Sequence, residues 1–293
     1  MTTRSGMILV DKPAGLTSHD VVARVRRILG ERRVGHAGTL DPMATGLLIL
    51  AVGPATRLIR FAQGRDKTYT GTILFGVATD SLDADGEVVA RAAVPELSVE
   101  SVNAAAATLT GPQRQVPPMV SALHHGGERL YELARRGEVV ERAARAITVD
   151  AFRLTPTHDP ARWDFEVTCS VGTYVRVLAS DLAERLGTLG HLVALRRTAS
   201  GEHRVDDAHS LEEIAENPNG CVLAPLSFVA HLESVTLDDD EVRRVRHGQR
   251  LHVRASHGEV AALDSDGNLV AVLERRAEGY RPALVFAEGA SGR

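Results

Sequence analysis

A chain of 293 residues, 44% of them hydrophobic, can bury one large core and a smaller one, which excludes general disorder. The formal net charge of −4 argues against a protein that coats nucleic acid by bulk charge, so any such contact must come from local clusters. Only two cysteines occur, Cys169 and Cys221, far apart and outside any C-x-x-C pair. They suggest neither a disulfide framework nor a zinc knuckle, and a reduced cytoplasm is the expected compartment. The longest apolar run, Leu47 to Val52, is too short to span a bilayer, and no apolar signal core follows the first six residues.

In chain order, Ser18 is expected to open a helix that buries Val21, Val22, Val25, Ile28 and Leu29, with Gly30 as its stop. Residues 32–46, rich in glycine and polar side chains, read as loop, and Leu47 to Val52 as a buried strand. From Lys67 to Val77 the pattern alternates. Tyr69, Gly71, Ile73 and Phe75 share one face, and Thr70, Thr72 and Leu74 the other. Residues 111–145, with Pro112, Pro117, Pro118, Gly126-Gly127 and a basic helix near Leu130 to Arg136, read as an insertion that leaves the core and returns. Phe165, Val167 and Cys169 then alternate ahead of Gly172. A second helix follows, burying Val175, Leu178, Leu182 and Leu186 and ending near Gly187. The core domain is expected to cover residues 1–229, with a small module over 230–293. That module holds a helix from about Asp238 to Arg246, closed by Gly248, and a hairpin pairing Ala261 and Leu263 with Leu269, Ala271 and Leu273. Strands interspersed with helices give the α+β class.

Lysine appears only at Lys12 and Lys67, so the rest of the 34 basic residues is arginine. A GC-rich genome explains that bias; arginine also suits bidentate phosphate contacts and base stacking. The clusters are Arg24/Arg26/Arg27/Arg32/Arg33, Arg135/Arg136, Arg196/Arg197 and Arg243/Arg244/Arg246. Ser81 to Gly86 imitates the start of a calcium loop, but Ala92 stands at the closing ligand position. His124-His125 lacks a third ligand at any usual spacing. No metal and no cofactor are expected.

The most informative segment is Gly35-His36-Ala37-Gly38-Thr39-Leu40-Asp41-Pro42, followed by Met43 to Gly46. Gly38 and Pro42 flank one carboxylate directly before a buried strand, which suits either a rigidly held catalytic acid or an Asx turn that only shapes the loop. No Gly-Lys-Ser/Thr follows, so this is no phosphate-cradling loop. The eight residues from Gly35 resemble the catalytic motif of the TruB family of tRNA pseudouridine synthases. Asp11 to Ser18, Lys67-Thr68-Tyr69, Gly172 to Arg176, and His191 to Arg197 resemble further motifs of that family in its order. The likeness covers roughly residues 6–230. Val120 and His124 depart from it, standing where the family commonly has an aromatic and a lysine.

This resemblance implies a pseudouridine-synthase fold with a mixed, largely antiparallel central sheet flanked by helices, plus a β-rich PUA-like C-terminal module. It implies a tRNA T-arm substrate modified at position 55, a monomer, and no obligatory protein or membrane partner. Asp41 would act on C1′ or C2′ of the uridine, and Arg176 would keep it ionised, since a nearby guanidinium lowers a carboxylate pKa by roughly 1–3 units. Tyr69 would stack on the uracil and help remove its C5 proton, with Tyr174 and Leu195 lining the pocket and His36 beside the extruded nucleotide. Lys12 and Pro13 would support the active-site loops. The 111–145 insertion, with Arg129, Arg135, Arg136 and Arg142, would clamp the RNA arm. An RNA-binding folding helper and a nucleoside hydrolase are the competing readings.

Overall fold

The computed structural model describes residues 5–286 except 122, 131, 132, 134 and 135. The chain divides into two compact units. One comprises Met1–Pro42, Gly46–Gly64 and His203–Arg293; the other comprises Met43–Thr45 and Arg65–Glu202. Among the described residues no helix is long and apolar enough to cross a membrane.

In the first unit, β1 (Gly6–Lys12) pairs antiparallel along its length with β3 (Thr45–Val52), Gly6 facing Val52 and Lys12 facing Gly46. Between them lie α1 (Ser18–Leu29) and the three-residue strand β2 (Val34–His36), which pairs with the end of β3 so that His36 faces Leu50. The helix is stopped at both ends by local chemistry. Thr17 and Asp20 form a capping box, and Gly30 closes it at φ 64°, a left-handed conformation that glycine adopts freely. Its buried face is Ser18, Val21, Val22, Val25 and Leu29, with Ile28 only half-buried. A 3₁₀ turn (Gly53–Leu58) leads into α2 (Ile59–Gln63).

The second unit is built on β4 (Lys67–Phe75). There follow a small hairpin of β5 (Val77–Thr79) and β6 (Val88–Arg91), then α3 (Val99–Ala107), β7 (Gly111–Gln115), and a second hairpin of β8 (His124–His125) and β9 (Glu128–Arg129). The unit is completed by β10 (Arg145–Pro156), β11 (Arg162–Cys169), α4 (Val175–Arg185) and β12 (Gly190–Ser200). The strand order β12-β4-β11-β10-β7 is antiparallel throughout. Lys67, Tyr69, Ile73 and Phe75 are buried as the alternation requires. Gly71 continues that face without a side chain: a Cβ there would run into the Ala194 carbonyl and the Phe165 ring. Gly111–Gln115 belongs to the sheet, opposite Arg145 to Val149, so the insertion leaves the core after Gln115 rather than at Gly111.

The first unit resumes with β13 (His203–Arg204), α5 (Leu211–Glu216), β14 (Glu233–Thr236), α6 (Asp239–Arg246), β15 (Glu259–Leu263), β16 (Leu269–Arg276) and β17 (Gly279–Val285). The last four strands form one sheet, parallel only between β14 and β15. The expected β15–β16 hairpin forms with Leu263 facing Leu269 and Gly267 at φ 80° in its turn. A register shift between Ala262 and Leu263 sets Ala262, not Ala261, opposite Ala271, and Ala261 faces Val272. Val260, Ala262 and Leu273 pack with Val242 and Val245 of α6. Ala261, Leu269 and Val272 instead join Met7, Leu9, Leu47, Ile49 and Phe228 in a common core. Apolar residues at adjacent positions here serve two different cores, so the strand is buried on both faces.

Candidate active site

Asp41 is half-buried on the loop between β2 and β3, and its two neighbours are tied to the N-terminal motif. The Ser18 hydroxyl accepts the Leu40 N–H at 2.8 Å and donates to the Leu40 carbonyl at 3.2 Å. On the other side, the Pro42 carbonyl accepts from Gly15 N–H at 2.9 Å and from Lys12 Nζ at 3.2 Å. Lys12 is fully buried, and its ammonium also donates to the carbonyls of Pro13 and Leu16. A buried ammonium is costly unless its donors are met, and here three carbonyls meet them. Residues 12–18 therefore form a bracket that fixes the backbone on each side of the carboxylate. Gly38, at φ 98°, permits the turn from β2 into this loop. His36 is half-buried at the end of β2.

In the second unit, Tyr69 and Leu195 share a sheet face. Tyr69 faces Arg197 and Gly71 faces Leu195 across the β4–β12 ladder, and directly opposed residues project to the same side. The same face carries Lys67 and, from β11, Cys169 and Val167. Arg197 and Lys67 are both buried. Burial first, and the Arg197 guanidinium second, push the Lys67 ammonium down to about 8. Its Nζ donates to the Arg65 carbonyl at 2.8 Å. Burial pushes the Cys169 thiol up to about 11. Neither cation's placement is visible in periodicity, because a strand pattern expects apolar residues there.

Arg176, in the first turn of α4, is buried rather than a surface charge. Its Nη1 donates to the Ser81 carbonyl at 2.7 Å and lies 3.3 Å from Asp83 Oδ2, while Nη2 donates to the Val120 carbonyl at 2.9 Å. Asp83 is equally buried and is held by Ser81 Oγ at 2.5 Å and by the Asp85 N–H at 3.1 Å. Between Ser81 and Asp83 stands Leu82 at φ 65°, the only non-glycine residue with positive φ among those described. Such a conformation costs of order 1–3 kcal/mol and persists where the surroundings impose it. The segment that imitates a calcium loop thus cradles a guanidinium. Asp83 was legible only as part of that calcium-loop imitation. Tyr174, half-buried, precedes α4 directly.

Asp41 and His36 lie in the first unit, and Tyr69, Tyr174, Arg176 and Leu195 in the second. Of the insertion arginines, Arg136 is engaged by Glu128 at 3.1 Å and Glu138 at 2.7 Å, which offsets its charge locally. Arg135 and the side chain of Arg129 lie outside the described residues. Among the described residues no group of three or more His, Cys, Asp or Glu could hold a metal ion.

Three family models match the chain. The N-terminal domain of TruB family pseudouridylate synthases covers residues 26–175, the tRNA pseudouridylate synthase B C-terminal domain 176–219, and the tRNA pseudouridine synthase II C-terminal model 232–287. The tRNA pseudouridine synthase B of Thermobifida fusca (strain YX) is 45% identical over 289 residues, 96% of this chain and 98% of the relative. That of Streptococcus sanguinis (strain SK36) is 42% identical over 96% of this chain and 99% of the relative. Among solved structures, a Cbf5-Nop10-Gar1 complex matches with a TM-score of 0.72 at 25% identity, covering 97% of this chain and 84% of that one. The archaeal box H/ACA sRNP Nop10-Cbf5 complex matches with a TM-score of 0.71 at 22% identity, covering 99% and 89%. With an ordered α+β fold and family models spanning most of its length, this chain belongs to the TruB family of pseudouridylate synthases.

Proposed function

We propose that the protein isomerises uridine 55 in the T-loop of tRNA to pseudouridine, with Asp41 as its catalytic carboxylate. The N1–C1′ bond breaks, the uracil turns within the site, and C5 joins C1′; the proton lost from C5 is balanced by one gained at N1. No redox step is needed. Asp41 acts by attack on C1′ or by taking the C2′ proton. Arg176 keeps it charged, Tyr69 stacks on the base and helps remove the C5 proton, and Tyr174 and Leu195 line the pocket. Flipping the nucleotide out costs a few kcal/mol, and stacking on Tyr69 returns roughly 1–3. Phosphate contacts supply the rest, with His36 filling the gap left in the stack.

The observation that supports this most is the bracket around Asp41, in which Ser18, Gly15 and Lys12 fix the residues on both sides of one carboxylate. A loop that needed only an Asx turn would not require a fully buried lysine beneath it. The names of the close relatives support the tRNA substrate. In the same reading, residues 1–229 catalyse, 230–293 form a PUA-like RNA-binding module, the insertion clamps the T-arm, and the protein works as a cytoplasmic monomer. Incubation with an unmodified tRNA transcript should yield pseudouridine at position 55 and no released uracil. Free uracil would instead indicate a hydrolase, and binding without product a folding helper.

A further inference from the structure

Four helices among those described, α1, α3, α5 and α6, are capped by their own residues. Thr17 with Asp20, Ser98 with Ser101, Ser210 with Glu213, and Asp238 with Glu241 each form a capping box. The helix α4, which begins after Tyr174 and carries Arg176 in its first turn, has no side-chain cap of its own. Its starting residue is gripped from 59 positions away. Tyr174 N–H donates to Gln115 Oε1 at 2.8 Å, and Gln115 Nε2 donates to the Tyr174 carbonyl at 3.1 Å. That carbonyl also accepts the opening helical bonds from Val177 and Leu178. Gln115 is buried and is the last residue of β7, where the chain leaves the sheet for the insertion. Five residues on, the Val120 carbonyl accepts from Arg176. Because this bond uses backbone, the unusual valine at 120 does not weaken it.

We infer that Gln115 is a positioning residue: it holds the start of α4, and with it Tyr174 and Arg176, in register with the root of the insertion. The inference rests on the proposed roles of Tyr174 and Arg176. A buried glutamine could serve stability alone, but an amide that bonds both backbone groups of one residue sets that residue's position. Side chains carried on the first turn of α4 then move if the amide is lost. Loss of positioning of order 1 Å costs about a hundredfold in rate.

The test compares Gln115→Met, which keeps shape but makes neither bond, with Gln113→Met. Gln113 lies two residues earlier on the same strand and donates to the Leu109 carbonyl rather than to Tyr174. Single-turnover pseudouridine formation should fall about ten- to a hundredfold in Gln115→Met while tRNA affinity holds, and Gln113→Met should leave the rate intact. Equal rates, or a loss confined to affinity or melting temperature, would overturn the inference. Amide hydrogen exchange at Tyr174 reads the same clamp without catalysis: protection should drop in Gln115→Met alone. Unchanged protection overturns it even if the enzyme makes no pseudouridine, whereas an inactive wild type with lost protection would sink only the proposed reaction.

Discussion

Lys67 sits in an environment that opposes its charge. It is 6% exposed, stands beside Arg197, and faces Cys169 across the ladder. The thiol gives no relief at neutral pH, since burial holds it protonated up to about 11. With a folded pKa near 8 against an ordinary 10.5, the protonated lysine costs stability in the folded state. The cost is full below about pH 8, where both states are protonated. It is relieved between about 8 and 10.5, where the unfolded chain binds the extra proton. Lys67→Met removes that cost. Urea unfolding of both proteins should show wild type gaining about 3 kcal/mol relative to the variant between pH 7 and pH 10.5. A constant gap would mean that the ammonium is better solvated than its burial implies.

At the scale of elements, the N-terminal motif acts through one loop. Ser18→Ala leaves the Thr17 cap of α1 in place but strips both backbone partners from Leu40. Stability should fall by about 1–3 kcal/mol. Turnover should fall about tenfold or more with tRNA binding unchanged, because the carboxylate loses its alignment. Full turnover at reduced melting temperature would show that the bracket serves the fold alone. Elements with strong periodicity were legible in the sequence: α1, β4, α4, α6 and the β15–β16 hairpin fall close to their expected bounds. The three-residue β2 was not, because Gly35 and flanking polar residues read as loop and only pairing with β3 makes it a strand. The edge strand β7 was hidden by Pro112, which an edge tolerates and a central strand does not.

Across the whole molecule, the residues in question fall into two sets, near 12–18 and 36–42 in the first unit and near 67–69, 81–83, 115–120 and 174–197 in the second. Local patterns could not join them. Asp41 alone reads equally as a catalytic acid or a turn residue, Arg176 as a surface charge and Tyr69 as core, and it was the ordered resemblance that grouped them. Asp83 and Gln115 escaped because each acts on a partner about sixty to ninety residues away, through contacts that only the folded sheet creates. The account depends on Asp41 being held for chemistry rather than for shape. Asp41→Asn keeps the size and the flanking bracket, so the decisive measurement pairs tRNA affinity with pseudouridine formation in that variant. The account predicts wild-type affinity and no pseudouridine; wild-type turnover by Asp41→Asn would contradict it.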